Sequence, residues 1–130
     1  MLPEGLVTYL LAQPTVTAII GDRLQPNPPP EQVDSTTYPC VAYTVPSDVP
    51  QERALDGSYG GLQMRIVFDC FGLRFLDAAN LARAVNAVLD GFIGTLPDGT
   101  VCSPIEATLS SRFDDGSRIY CWSVHAIVHY

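Results

Sequence analysis

Two histidines close to the C-terminus are the first residues whose types could do chemistry. His125 and His129 lie on one face of a strand-like segment, together with Cys121 and Ser123. Positions i and i+4 of a strand are ~13 Å apart, which is too far for two imidazoles to bind the same metal ion. No Gly-x-Ser-x-Gly turn that would expose a nucleophile accompanies them. The pattern therefore predicts polar positions on the outer face of a sheet, and neither a metal site nor catalytic residues.

Two neighbouring carboxylates, Asp114 and Asp115, could supply acid–base chemistry. They stand directly before Gly116, and an Asp-Gly step tolerates the positive φ of a tight hairpin turn. The pair therefore predicts a turn and no acid–base site. The 10 glycines of the chain form neither a P-loop nor a Gly-x-Gly-x-x-Gly motif, and no cofactor is expected.

The four cysteines are widely spaced, at positions 40, 70, 102 and 121, and no two form a Cys-x-x-Cys pair. Zinc sites and redox motifs usually contain such close pairs, because one turn must present two sulfurs to one centre. Each cysteine falls inside a strand-like segment, where a free thiol behaves as a small buried hydrophobe. We therefore expect free, structural cysteines.

Charge and composition exclude several classes of function. The chain has 130 residues, Lys+Arg 7 against Asp+Glu 14, a formal net charge of -7, and 47% hydrophobic residues. This length and apolar content predict a single folded domain over residues 1–130. All seven cations are scattered arginines, so attachment to nucleic acid or to an anionic membrane through clustered cations is not expected. The start, Met1 to Gly5, has no basic residue before its apolar stretch, which predicts that no secretory signal is present.

Helical periodicity occurs in two main places. Residues Pro3 to Gln13 repeat apolar side chains at i, i+3 and i+4, and a short helical turn follows over Thr15–Ile20. The same period returns from Phe75 to Asp90, with alanines that allow close packing on a sheet. These patterns predict one amphipathic helix near the start of the chain and a second from Phe75 to Asp90.

Alternation with period two predicts the strands, and proline-rich composition predicts the loops. Arg23 to Pro39 is expected to be an extended arm or loop, because proline removes hydrogen-bond donors and fixes φ. A second long loop is expected from Pro46 to Gly61. The predicted strands are Cys40–Val45, Leu62–Phe71, a segment from Val101 to Phe113, and the final segment from Tyr120 to Tyr130.

The resulting element order is α-β-β-α-β-β. It predicts a single-domain α+β fold, in which a four-stranded antiparallel sheet has two helices packed on one face and two long loops. Val67 and Phe71 are apolar residues that the alternation places on the opposite face. A partly apolar second face is typical of an oligomer interface, although single exposed apolar residues are common on any protein surface.

Several stretches of the chain are similar to one protein family. They are the Val16-Thr17-Ala18-Ile19-Ile20-Gly21-Asp22-Arg23-Leu24 segment, the Tyr38-Pro39 entry to the first strand, Leu55-Asp56-Gly57 leading into Arg65–Phe71, the helix that ends Val88-Leu89-Asp90-Gly91-Phe92, and the closing aromatic strand. In these motifs and in element order, the chain resembles the tail completion (tail terminator) family of tailed bacteriophages and prophages. The shared residues form packing and turn motifs and include no active-site residues.

The resemblance implies a virion structural protein that is no enzyme and is assembled in the host cytoplasm. Its copies would form a ring, a hexamer in the family, which caps the tail tube, ends tube polymerisation and offers a docking surface to the head-side connector. The implied partners are a second copy, the tail tube protein and the connector protein, with no membrane. DNA would pass through the lumen without specific binding, and an acidic lumen would repel its phosphates.

The second long loop is the candidate interface with the next subunit or the tube, because it is long and mixed in charge. The residues proposed for this contact are Glu52, Arg53, Leu55 and Asp56. The alternative is a surface insertion with no partner, since long loops add little closure cost. Two other functions stay open at this stage: a head-completion or neck protein that seals the portal, and a small ligand-binding α+β domain.

Overall fold

The computed structural model describes residues 2–27, 38–50, 62–97, 99, 101–102, 105–113 and 119–129. Three helices and seven strands form in this part of the chain. The helices are α1 (Leu2–Leu11), α2 (Pro14–Ile20) and α3 (Phe75–Leu89). The strands are β1 (Leu24–Pro26), β2 (Cys40–Pro50), β3 (Leu62–Gly72), β4 (Gly94–Thr95), β5 (Val101–Cys102), β6 (Glu106–Phe113) and β7 (Tyr120–His129).

The main sheet has five strands in the order β1-β2-β3-β7-β6. β1 runs parallel to β2, and the other neighbours are antiparallel. In one row across the centre, Thr44 pairs with Val67, which pairs with His125, and Thr108 completes the row. Strands β4 and β5 form a separate two-stranded ladder. The α+β class is confirmed, but the sheet is mixed and five-stranded where four antiparallel strands were expected.

All three helices pack on one face of this sheet. Each contributes fully buried side chains to one core, such as Leu10 of α1, Ile20 of α2 and Leu81 of α3. The sheet supplies alternate residues of its central strands, as the period-two patterns predict. These residues are Met64, Ile66, Phe68 and Cys70 from β3, and Val124, Ala126 and Val128 from β7. The expected fold counted two packed helices, whereas α2, which was expected only as a short helical turn over Thr15–Ile20, is a third.

Strand β1 lies inside the segment that was expected to be a loop. Leu24 to Pro26 pairs with Val41 to Tyr43 at the edge of the sheet. An edge strand needs hydrogen bonds on one side only, so a proline at its end is tolerated. The prediction of an extended arm or loop from Arg23 to Pro39 was therefore wrong for these three residues, which form an edge strand.

Strand β2 is longer than the predicted Cys40–Val45 and continues to Pro50. Its register with β3 shifts between Thr44 and Ser47, which marks a bulge or irregularity. Beyond Tyr43 no partner on the β1 side is present in the described pairing, so this half of β2 is an edge where prolines are compatible with pairing. The predicted second loop, Pro46 to Gly61, therefore began too early, because residues 46 to 50 belong to β2.

The segment expected as one strand from Val101 to Phe113 is divided. Val101–Cys102 pairs with Gly94–Thr95, and only Glu106–Phe113 joins β7. Pro104 between the two parts has no N–H to donate, which is consistent with the break. The antiparallel β6–β7 pairing and helix α3 agree with the sequence patterns.

Candidate functional site

The sheet face opposite the helices carries a second, smaller cluster of buried residues. Phe71 is only 5% exposed, because the Tyr38 ring contacts it edge-on at a centroid distance of 6.4 Å. The cluster comprises Tyr38, Cys40, Ala42, Phe71, Ile119 and Cys121. Phe71 is therefore covered by its own chain, and the expectation that it leaves an apolar group open on this face was wrong. Val67 is half-buried.

A buried carboxylate lies next to this cluster. Asp69 of β3 is 7% exposed, and Ser123 of β7 is 4% exposed. The two residues are register partners, and the Ser123 hydroxyl donates a hydrogen bond of 2.6 Å to Oδ1 of Asp69. Hydrogen bonds to charged acceptors are short and strong, and burial strengthens them further. Asp69 is thus held in one orientation at the centre of the sheet.

Asn27 connects this carboxylate to the edge of the sheet. Its Nδ2 donates to Oδ2 of Asp69 at 3.4 Å and to the Thr44 hydroxyl. Its backbone N–H donates to the carbonyl of Tyr43 at 3.0 Å, directly after the end of β1. Asn27 therefore fixes the point at which the chain leaves β1 and the proline-rich segment begins.

The predicted row of Cys121, Ser123 and His125 is present on one face of β7, but it is not an exposed polar row. Cys121 and Ser123 are buried, and His125 is half-buried. The Nε2 atom of His125 lies 3.1 Å from Oγ of Ser110 on β6. Ser123 thus hydrogen-bonds to Asp69 of β3 and His125 to Ser110 of β6, so the two side chains bind partners on different neighbouring strands. No group of three or more His, Cys, Asp or Glu side chains that could hold a metal ion occurs among the described residues.

Arg23 joins α2 to the start of β2. Its Nη2 donates to the carbonyl of Ile19 at 3.0 Å, and its Nε donates to the carbonyl of Pro39 at 2.9 Å. Its own carbonyl accepts from the N–H of Val41 at 3.0 Å. Gly21, at φ 62, ends α2 in the left-handed region and turns the chain towards Arg23. Gly21 and Arg23 of the Gly-Asp-Arg motif therefore connect α2 to the start of β2, in agreement with its interpretation as a packing and turn motif.

The cysteines at positions 40, 70 and 121 are buried and form no disulfide bond. Burial raises the pKa of the Cys40 thiol to about 11, an effect that the nearby Arg23 guanidinium partly opposes. Burial also raises the pKa of Cys70 well above its usual value. Because the thiolate is the nucleophile, a raised pKa that keeps the Cys40 and Cys70 thiols protonated at neutral pH agrees with the expectation of structural cysteines.

Exposed apolar side chains occur away from the polar network. Phe75 and Leu76 at the start of α3 are 51% and 64% exposed, and Ile93 and Leu109 are 65% and 38% exposed. The Phe75 ring contacts Trp122 at 5.9 Å, on the helix side of β7. Such positions can contribute to contacts with other proteins.

The candidate interface residues Glu52, Arg53, Leu55 and Asp56 lie outside the described residues, as do Asp114 and Asp115. Among the described helices, none is long and apolar enough to cross a membrane. The described side chains thus form hydrogen bonds that hold elements together, and the described surface offers apolar side chains and sheet edges. Together, the fold and these residues define a small α+β structural domain.

The comparisons with known proteins identify the family. The model of the family "Tail completion protein gp17" matches residues 4–127, so the chain belongs to this family of tail completion proteins. It is therefore a structural protein of the phage tail and a component of the virion. No curated protein sequence matches the chain.

A solved structure supports the fold. A chain of the virion of a native gene transfer agent particle superposes with a TM-score of 0.72 at 15% sequence identity. The match covers 95% of this chain and 90% of the other. At this identity the likeness shows a shared fold.

Proposed function

We propose that this chain caps the phage tail tube as a ring, ends tube polymerisation and forms the docking surface for the head-side connector. Membership of the tail completion family over residues 4–127 is the observation that carries this proposal. A tail is complete only when growth of the tube has stopped and its end can be joined to the head. One ring at that end serves both needs, because it has one face towards the tube and another towards the head.

A closed ring requires heterologous contacts, in which two different patches of neighbouring copies meet. Exposed apolar side chains at separate places support this arrangement, with Phe75 and Leu76 at the start of α3 and Ile93 beyond its end. The partners proposed are further copies of the chain, six in the ring, together with the tail tube protein and the connector protein.

The segment between β2 and β3 supplies contacts to the next subunit or to the tube in this proposal. Its mixed charge, with Glu52, Arg53 and Asp56 around Leu55, suits a contact that needs both polar and apolar groups. Alanine at all four positions should abolish attachment to tubes, measured by co-sedimentation of the purified protein with tails that lack it. Arg83→Ala, at an exposed position of α3, is the control. Undiminished co-sedimentation of the quadruple variant would remove this segment from the interface.

The experiment that tests the function is electron microscopy of particles from a phage or prophage with an early stop codon in this gene. Overlong tails, or tails of irregular length separate from full heads, are expected. Expression of the chain from a plasmid should restore tail length and head attachment, which controls for effects on neighbouring genes.

Two other outcomes would overturn the proposal. Tails of normal length beside heads that leak or never join would assign the chain to head completion at the neck. Normal infectious particles would exclude both virion functions and direct attention to a ligand-binding role.

A further inference from the structure

The start of α3 carries an exposed apolar surface beside a cation. Leu76 is 64% exposed and Phe75 is 51% exposed. The Phe75 ring contacts the rings of Tyr120 and Trp122 edge-on, at centroid distances of 6.1 and 5.9 Å, so it is supported by the sheet although half of it meets solvent. Arg74, directly before the helix, is exposed. Arg74, Phe75 and Leu76 form what we call the N-terminal patch.

The other end of α3 carries an exposed apolar side chain beside two carboxylates. The N–H of Ile105 donates to the carbonyl of Phe92 at 2.9 Å, and the N–H of Ala107 donates to Oδ1 of Asp90 at 3.2 Å. These bonds bring the start of β6 beside the chain that leaves α3. Ile93, in that chain, is 65% exposed. The exposed residues brought together here, which we call the C-terminal patch, are Asp90, Ile93 and Glu106.

The two patches face different neighbours. Helix α3 has 15 residues and is therefore about 22 Å long, so the patches of one copy do not contact each other. A head-to-tail contact needs two different patches of this kind on one molecule, and repeated head-to-tail contacts close into a ring when the rotation between copies permits it.

The N-terminal patch lies at a positive end of the molecule. Arg74 stands at the start of α3, where the helix dipole is also positive. Arg112 of β6 is the register partner of Cys121, one residue from Tyr120, so a second arginine belongs to this end of the sheet. Asp77, half-buried in the first turn of α3, offsets part of this charge.

The C-terminal patch has the opposite sign. Asp90 and Glu106 are both exposed carboxylates, and they stand at the negative end of the α3 dipole. Arg83 is the cation of α3 closest to this end in sequence, and it precedes Asp90 by seven residues, about two turns of helix. An apolar side chain next to negative charges at one end of α3 thus matches apolar side chains next to positive charge at the other.

This complementarity indicates that each patch is covered by a second copy of the chain. The net charge of -7 opposes the approach of two copies from a distance. At contact the nearby pairs matter more than the total, because interactions between exposed charges beyond about 8 Å are largely screened at physiological salt. Complementary charges of this kind also fix which patches meet.

We infer that the N-terminal patch of each copy binds the C-terminal patch of the next. Arg74 then faces Glu106 and Asp90 across the contact, while Phe75 and Leu76 cover Ile93. The inference rests on the proposed function for the existence of a ring, and it adds the surfaces that join the copies.

Introduced cysteines test the contact in assembled particles. A chain with both Leu76→Cys and Ile93→Cys is supplied from a plasmid to a phage whose own gene has an early stop codon, and purified particles are treated with a short bismaleimide. We expect a ladder of covalent multimers on denaturing gels. Each single variant and the parent chain, which has the four native cysteines, are the controls and should remain monomeric.

The crosslinking result and the proposed function can fail separately. The ladder reports the contact whether the ring lies at the tail end or at the neck, whereas tail length in the stop-codon particles tests termination. Absence of a ladder would overturn the inference. Dimers from either single variant would also overturn it, since identical patches would then meet.

Charge reversal tests the pairing of the patches. Arg74→Glu places like charges against Glu106 of the next copy, and Glu106→Arg does the same against Arg74. We expect each change to lower the yield of infectious particles in the plasmid assay at least about tenfold, because like charges brought together at an interface are strongly unfavourable. Arg83→Glu, the same change on the exposed side of α3, is the matched control and should leave the yield unchanged.

Recovery of the yield separates a contact between copies from a defect in folding. Both reversals in one chain restore the pair with exchanged signs, so the yield should return. Production of the two single variants together should also restore it, because the two kinds of copy can alternate around a ring of six. Unchanged yield in the single variants, or no recovery in either combination, would overturn the inference.

Discussion

At the scale of single residues, the carboxylate of Asp69 has the least usual environment in the described structure. It is buried, and no described cation forms an ion pair with it, so its stabilisation comes from hydrogen bonds donated by Ser123 and Asn27. A buried charge without such donors would be strongly unfavourable. The three residues belong to β3, β7 and the end of β1, which means that one carboxylate links three parts of the fold.

Replacing this carboxylate should weaken the fold measurably. Asp69→Ala leaves the buried Ser123 hydroxyl without its acceptor, and we expect a loss of about 2 to 3 kcal/mol in the free energy of unfolding, measured by urea denaturation. Ser123→Ala should also destabilise, and the double variant should cost clearly less than the sum of the two single changes. Thr108→Ala, at an exposed position of β6, should change stability by less than about 0.5 kcal/mol. Strict additivity of the two single changes would contradict the coupling.

Half of this arrangement could be predicted from the sequence. The alternation of Leu62–Phe71 places Asp69 on the face opposite the core, and the structure agrees. Its burial could not be predicted, because the donor Asn27 lies at the start of a proline-rich segment with no periodicity. Contacts from such segments depend on where the chain returns to the sheet, and local patterns do not contain that information.

At the scale of elements, the junction of β3 and α3 depends on a close approach at Gly72. A Cβ atom at this position would lie 2.7 Å from the backbone nitrogen of Ala78 and 2.9 Å from Cβ of Asp77. The first turn of α3 therefore rests directly on the end of β3. This contact sets the position of Phe75 and of the apolar surface around it.

Gly72→Ala should force α3 away from the sheet. Because one of the opposing atoms belongs to the backbone, side-chain rotation cannot relieve the overlap, and we expect a loss of about 1 to 3 kcal/mol in the free energy of unfolding. Thermal denaturation followed by circular dichroism measures this loss. Arg74→Ala, two residues further on and exposed, serves as the matched control and should remain close to the parent protein. A Gly72→Ala protein as stable as the parent would show that the junction has room to adjust.

Elements whose own sequence has a strong hydrophobic periodicity could be predicted. Short strands that form only because a neighbouring strand pairs with them could not. Helix α3 was expected from Phe75 to Asp90 and occupies Phe75–Leu89, since a long apolar stripe fixes the period and Asp90 begins the turn. β1 has three residues and exists because β2 offers it an edge, so nothing within Leu24–Pro26 distinguishes it from a loop. The same holds for β4 and β5, which are two residues each.

At the scale of the whole molecule, the acidic balance and the absence of lysine limit how the protein can meet DNA. Stable binding to duplex DNA requires several cations that neutralise neighbouring phosphates and release counterions. Seven arginines against fourteen carboxylates, spread from Arg23 to Arg118, do not provide a continuous basic surface in sequence. In the proposed ring, this charge would let DNA pass without being held.

The free protein should therefore show no binding to a 30-base-pair duplex in fluorescence anisotropy at 50 mM salt, up to about 100 µM protein, where non-specific DNA-binding proteins are already bound. A basic DNA-binding protein of similar size is the positive control. Exchanging the exposed Glu4, Asp22 and Glu106 for lysine changes the charge by two at each position and moves the net charge from -7 to -1. We expect any binding gained in this variant to disappear at 200 mM salt, because it would be electrostatic. Salt-dependent binding by the unaltered chain would contradict passive passage and would mean that its arginines form a local phosphate-binding surface despite the overall charge.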